Sequence, residues 1–156
     1  MALETIQIQD KLSETFGETV SSFNLEKDIF SFEVASDKIT AVILFLKNDP
    51  ELRFHFLTDL CGIHYPDNEE SRQFAVVYHL HNWYENKRIK IKAFIQGEKP
   101  EIKTISNIFL SSNWMERETY DLRHQFYWSP AVETNIKYGR DDFFPYAKRI
   151  PDGRQR

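Results

Sequence analysis

Residues 88–93 read Arg-Ile-Lys-Ile-Lys-Ala, and this alternation constrains the fold more than any other feature of the chain. In a strand, successive side chains leave opposite faces of the backbone. The segment therefore sends isoleucines to one side and basic side chains to the other. That is the pattern of a sheet covered on one face and solvated on the other. Asp28 to Val34 alternates in the same way, with Phe30, Phe32 and Val34 on one face. Phe54 to Leu57, Asp59 to Pro66 and Phe74 to Leu80 supply further strand segments, separated by the polar stretches Asp67–Ser71 and Asn82–Lys87.

Something must cover the apolar face, and two early segments have helical periodicity. Leu12 and Phe16 lie four apart in residues 5–16, with Gly17 placed to end the helix. After Ser36-Asp37, a capping pair, the stripe Ile39, Val42, Ile43 and Leu46 predicts a second helix that stops at Asn48-Asp49-Pro50. A short helical stretch is expected at Ile105–Phe109, and a last helix from Trp114 to about Asp121, with Asn113 and Glu116 as a capping box. The expected fold class is α+β, a mainly antiparallel sheet with helices packed on one face. The expected organisation is a core domain over residues 1–121 followed by an extended tail over 122–156. That tail holds Pro130, Gly139, Pro145, Pro151 and Gly153 and too little periodicity for a core of its own. A tail of that length is explained best by a partner to lie along.

Composition narrows the function classes. The chain has 156 residues, 41% hydrophobic and 15% aromatic, enough for one packed domain. Its 20 basic and 24 acidic residues leave a formal charge of −4, which argues against general binding to nucleic acid or an anionic membrane. No apolar run reaches the roughly 18–20 residues of a spanning helix. The start of the chain has neither a basic nor an apolar leader region, so no secretory signal is expected. A single cysteine excludes an internal disulfide framework and a four-thiolate iron–sulfur site, and fits a reducing compartment.

Catalytic motifs are sparse. Cys61, His64 and His79 are the residues from which a metal site of a free-standing enzyme would be built, with His81 sharing a strand face with His79. The Cys-x-x-His spacing is no strong zinc signature, however, and the aromatic neighbours suit ordinary strand packing. The five glycines stand far apart, so no phosphate-cradling loop exists, and there is no Gly-x-Ser-x-Gly elbow. The stripe Arg88, Lys90, Lys92 reads first as a solvated face that discourages edge pairing. The densest segment is Asn113 to Asp121, where Trp114 and Tyr120 stand among Glu116, Arg117, Glu118 and Asp121. Arg117 and Asp121 have the spacing of an i,i+4 ion pair. Aromatic side chains beside arginine are typical interface anchors.

That segment, Trp114-Met115-Glu116-Arg117-Glu118-Thr119-Tyr120-Asp121, resembles the Trp-x-Glu-Arg-Glu-x-Tyr-Asp signature of the 30 kDa subunit family of respiratory complex I. In bacteria this is the C-type subunit of NADH:quinone oxidoreductase. Leu57-Thr58-Asp59-Leu60, then His64-Tyr65-Pro66, Phe74 to Leu80 and Ile105 to Phe109 are similar to further family stretches, so the resemblance covers roughly residues 25–121. Beyond it, Trp128-Ser129-Pro130 stands where the family carries Gly-His-Pro. Asp142 to Pro145 with Lys148 fits its Pro-Leu-Arg-Lys region, but Ala147 replaces an arginine.

The resemblance implies a non-catalytic, cofactor-free subunit of the hydrophilic arm of the complex. NADH, FMN, iron–sulfur clusters and quinone would be bound by other subunits. The implied partners are the large subunit that helps build the quinone site and the small cluster-bearing subunit. The implied location is peripheral, on the cytoplasmic face of the cell membrane. Interface residues carried over from signature and tail are Trp114, Glu116, Arg117, Glu118, Tyr120, Asp121, Pro130, Pro145 and Lys148. The equivalent subunit of a membrane-bound hydrogenase shares fold and signature, and is the alternative.

Overall fold

The structure, a computed structural model, describes residues 2–27, 29–96 and 101–126. Five strands form one sheet: β1 (Val20–Glu26), β2 (Ile29–Val34), β3 (Phe56–His64), β4 (Phe74–Asn82) and β5 (Lys87–Ile95). Their spatial order is β1-β2-β5-β4-β3. Only the central β2–β5 pair is parallel; β1–β2, β4–β5 and β3–β4 are antiparallel. Three helices are described, α1 (Ala2–Phe16), α2 (Ile39–Asn48) and α3 (Ser112–Phe126).

The register assigns every strand residue to a face. Phe30 and Phe32 pair with Ile89 and Ile91, which pair in turn with Leu80 and Tyr78, and those with Leu57 and Leu60. These side chains are buried together with Leu12 of α1 and the α2 stripe Ile39, Val42, Ile43 and Leu46. Gly62, on the same face of β3, lies under α3, because a Cβ built there would stand 2.8 Å from Thr119 Cγ2. All three helices therefore cover one face, and the expected α+β layering is found. The expected helix ends at Gly17, which is left-handed with φ +54°, and at Asn48 are also found.

Some local expectations are corrected. β1 has no counterpart in the sequence reading: a bulge between Ser21 and Asn24, with Ser22 at φ 54°, breaks the alternation. That extra residue lets Val20 and Phe23, three apart, both serve the covered face, where Phe23 stacks on Phe30 at 5.9 Å. A second bulge between Leu57 and Asp59 does the same for Leu57 and Leu60 and makes one strand of two expected pieces. α2 is preceded by Lys38 with no side-chain cap, so Ser36-Asp37 forms the turn before the helix rather than its cap. Residues 105–109 form a turn, with the Ile108 and Phe109 amides both donating to Ile105 O. α3 begins at Ser112, one residue before the expected cap Asn113, and runs to Phe126, beyond the expected end near Asp121.

Candidate docking helix and the open face of the sheet

The lead into α3 is pinned to the core at three points. Ile105 and Phe109 insert into the apolar cluster. Lys47, in the last turn of α2, donates to Ile108 O at 2.7 Å, with its ammonium 4.8 Å from the Phe109 ring centroid. The third tie is Glu116, only 7% exposed. Its Oε1 accepts the Ile105 N–H at 2.9 Å and its Oε2 accepts the Thr104 hydroxyl at 2.7 Å. A carboxylate that removes two donors from water in this way fixes the helix to the segment before it. From spacing, Glu116 is expected to reach back to the Asn113 amide as a cap. The structure instead places it inside, as the anchor of α3.

The opposite side of the helix is exposed. Trp114 is 71% exposed, Arg117 and Glu118 are exposed, and so is Leu110 of the lead-in loop. Tyr120 is half-buried. The Asp121 side chain and Pro130, Pro145 and Lys148 lie outside the described residues, so the expected Arg117–Asp121 pair does too. The structure thus divides the signature: Glu116 holds the helix down, and Trp114, Arg117 and Glu118 face outward.

The open face of the sheet carries the residues considered for a metal site. Asp59 pairs with His79, and His79 with Lys90; Cys61 pairs with Val77, and Val77 with Lys92. Cys61 and His79 are diagonal neighbours there, whereas His64, an odd number of residues from Cys61, projects to the covered face and stacks on Phe74 at 4.7 Å. Strand alternation alone separates His64 from the other two. Among the described residues no group of three or more His, Cys, Asp or Glu is arranged to hold a metal. Burial, helped by the nearby Asp59 charge, raises the Cys61 thiol above its ordinary value, which disfavours the thiolate a nucleophile needs. Burial likewise lowers His79, against the attraction of Asp59 and with the help of Lys90.

One end of this face is closed by the chain itself. Arg72, in the loop before β4, holds both carboxylate oxygens of Glu33, at 2.8 and 2.9 Å, and lies 4.0 Å from the Phe94 ring centroid. The same residues border an open, polar depression of about 450 Å³ reaching Glu18, Asp37 and Glu101. The other end carries an aromatic cluster that sequence reasoning passes over as a turn. Trp83 meets Phe56 edge-on at 5.2 Å and His81 at 5.9 Å.

A five-stranded sheet under a single helix layer, with a signature helix pinned across β3, defines an α+β module of the complex I 30 kDa type. The chain matches the family described as "Respiratory-chain NADH dehydrogenase, 30 Kd subunit" over residues 32–123, and it belongs to that family. A relative from Rhizobium etli (strain CIAT 652), one of the C-type subunits of NADH-quinone oxidoreductase, is 31% identical over 153 residues, covering 97% of this chain and 80% of its own. Two solved structures share the fold. A trypsin-resistant fragment of Nqo5 superposes with a TM-score of 0.61 at 22% identity, covering 76% of this chain and 91% of the fragment. A chain of the membrane-bound sulfane sulfur reductase, an archaeal respiratory membrane complex, does so with a TM-score of 0.62 at 19% identity, covering 88% and 75%.

Proposed function

We propose that this chain is the 30 kDa-type subunit of an NADH:quinone oxidoreductase, part of an enzyme complex with no catalysis of its own. The observation that carries this reading is the divided signature helix. One side is locked to the core through Glu116, Ile105 and Thr104, and the other presents Trp114, Arg117 and Glu118 outward. Such rigid, outward aromatic and charged groups are what a docking surface requires. No helix among the described residues is long and apolar enough to cross a membrane, which fits a peripheral subunit held by its neighbours on the cytoplasmic side. Those neighbours are the quinone-site large subunit and the cluster-bearing small subunit, and they, with others, carry NADH, FMN, clusters and quinone. Residues 122–156, with Pro130, Pro145 and Lys148, extend the docking surface beyond the 1–121 core.

The test is purification of the tagged chain from its native cells in mild detergent. Recovery of both neighbours with NADH oxidation supports the reading; recovery of the chain alone overturns it. Arg117→Ala removes an exposed charge, so the chain stays folded while its incorporation on native gels falls several-fold, the effect expected for loss of an interface arginine worth about 1–2 kcal/mol. Unchanged incorporation counts against the role of α3. The sulfane sulfur reductase likeness makes a related membrane-bound oxidoreductase, such as a hydrogenase, the second reading, and the identity of the co-purifying subunits decides between them.

A further inference from the structure

We propose that the β4–β5 hairpin tip and the basic column of β5 form a second docking surface, built for an extended acidic segment of another protein chain. The inference rests on the subunit role proposed above but concerns a different part of the molecule. Trp83 and Tyr84, at the tip, are 61% and 74% exposed, yet both rings are already held in place. Trp83 packs on Phe56 and His81. Tyr84 lies 5.1 Å from His55, and the Arg53 guanidinium sits 4.7 Å from its ring centroid. The loop beneath is fixed by Asn82, fully buried, whose Nδ2 donates to Leu52 O at 2.9 Å while its Oδ1 accepts the Tyr84 and Glu85 amides. Large aromatic surface held in one arrangement loses little conformational freedom on binding.

Charge selects the occupant. The molecule is acidic overall, with a net charge of −4, but this surface is basic. Among the described residues neither Arg53, Arg88 nor Lys92 has a carboxylate within ion-pair distance. Of the acids around it, Glu85 pairs with Lys87, Glu51 with Lys11 and Glu33 with Arg72, and Asp59, two strands from Lys90 beside His79, accepts the Leu60 amide through Oδ1. Geometry gives the form of the partner. Arg88, Lys90 and Lys92 leave the open face at alternate positions of β5, so they recur about every 6.5–7 Å. An extended segment has the same repeat on one face. Asp or Glu at its alternate positions meets the basic column, and an apolar side chain at its end rests on Trp83 and Phe56.

The test uses the full chain in its native complex, with Trp83 replaced by photoreactive benzoylphenylalanine. Irradiation is followed by mapping of the attached peptide. The expected product is a crosslink to a neighbouring subunit at a segment with alternating Asp or Glu, and its yield falls about fivefold or more in the Arg53→Glu, Arg88→Glu variant. Crosslinks to lipid, to a second copy of this chain or to a non-acidic segment overturn the inference. So does an assembled complex that gives no crosslink, or a yield the charge reversals leave unchanged. Absence of the neighbouring subunits themselves is a separate failure, that of the subunit reading. Every substituted side chain is exposed, so thermal unfolding of the variants should match that of the parent, which keeps misfolding from producing the loss.

Discussion

The two faces of the sheet are made from the same strands, yet only one is covered. On the covered face Phe32, Tyr78, Leu80, Ile89 and Ile91 are fully or almost fully buried under three helices. One residue away along each strand, Glu33, His79, His81, Arg88 and Lys92 face outward. The covered face is closed by apolar packing and supplies the stability. The open face keeps polar groups, of which Glu33 is already held by Arg72 while Arg88 and Lys92 stand ready for a partner. The contrast is sharpest in β5, where neighbouring residues 91 and 92 should behave in opposite ways. Ile91→Ala removes a fully buried side chain and is expected to cost about 2–5 kcal/mol in urea unfolding. Lys92→Ala should stay within about 0.5 kcal/mol. A large loss at Lys92 would mean that the open face is part of the fold after all.

Glu116 is a charged exception to the rule that polar groups lie outside, and removing it should be the next largest effect. Glu116→Ala leaves the buried Ile105 amide without its acceptor, while the Thr104 hydroxyl still has Ser106 Oγ at 3.0 Å, at a cost of about 1–3 kcal/mol. Glu116→Gln keeps one acceptor oxygen and should cost less, because the Thr104 hydroxyl can turn to donate elsewhere. If Ala and Gln unfold alike, and both like the parent, the helix is not held in the way described. The docking of α3 on β3 gives a related but smaller effect. Gly62→Ala pushes a methyl to 2.8 Å from Thr119 Cγ2. Thr119 can rotate in part, so the expected cost is about 1 kcal/mol, at the low end for an overpacked site. Thr119→Ser removes the opposing methyl and should restore most of that loss in the double variant.

How much of this was legible in the sequence follows the same division. The α2 stripe was readable because Ile39, Val42, Ile43 and Leu46 obey one period without interruption, and those four are the buried residues of the helix. β5 was readable for the same reason. β1 was not, because its bulge inserts a residue between Ser21 and Asn24 and turns an alternation into Val20-x-x-Phe23. The partner of Glu116 was equally hidden: Ile105 lies 11 residues upstream, and local spacing suggested only the cap three residues away. The family signature did mark α3 as the segment that matters. It marked Glu116 and Arg117 alike, and only the fold separates an anchor from an outward-facing charge. Trp83 and Tyr84 were invisible as a site because a turn sequence says nothing of what packs around it. Phe56 reaches Trp83 only once β3 lies beside β4.

Acid should separate the two faces most gently. On the open face, His79 is held below its ordinary value by burial. The unfolded chain therefore takes up that proton first, and stability falls as pH drops through about 6.5, the value for a free histidine, toward the lower folded value. In the helix layer Asp49 behaves differently. Burial alone would raise it, but the amides of Glu51 and Leu52 and the Lys11 ammonium at 3.1 Å outweigh that and lower it. Its contribution is complete above about 3.9, the unfolded carboxylate value, and is lost only as pH falls below that. The sign is the same for both groups and the windows are distinct. In a urea series against pH, His79→Gln should flatten the slope just below about pH 6.5 and leave the limb below pH 4 intact. Asp49→Asn should do the reverse. Variants that flatten the same limb would show that the two faces are coupled through the sheet, and that covering the open face with a partner would then be felt in the helix layer.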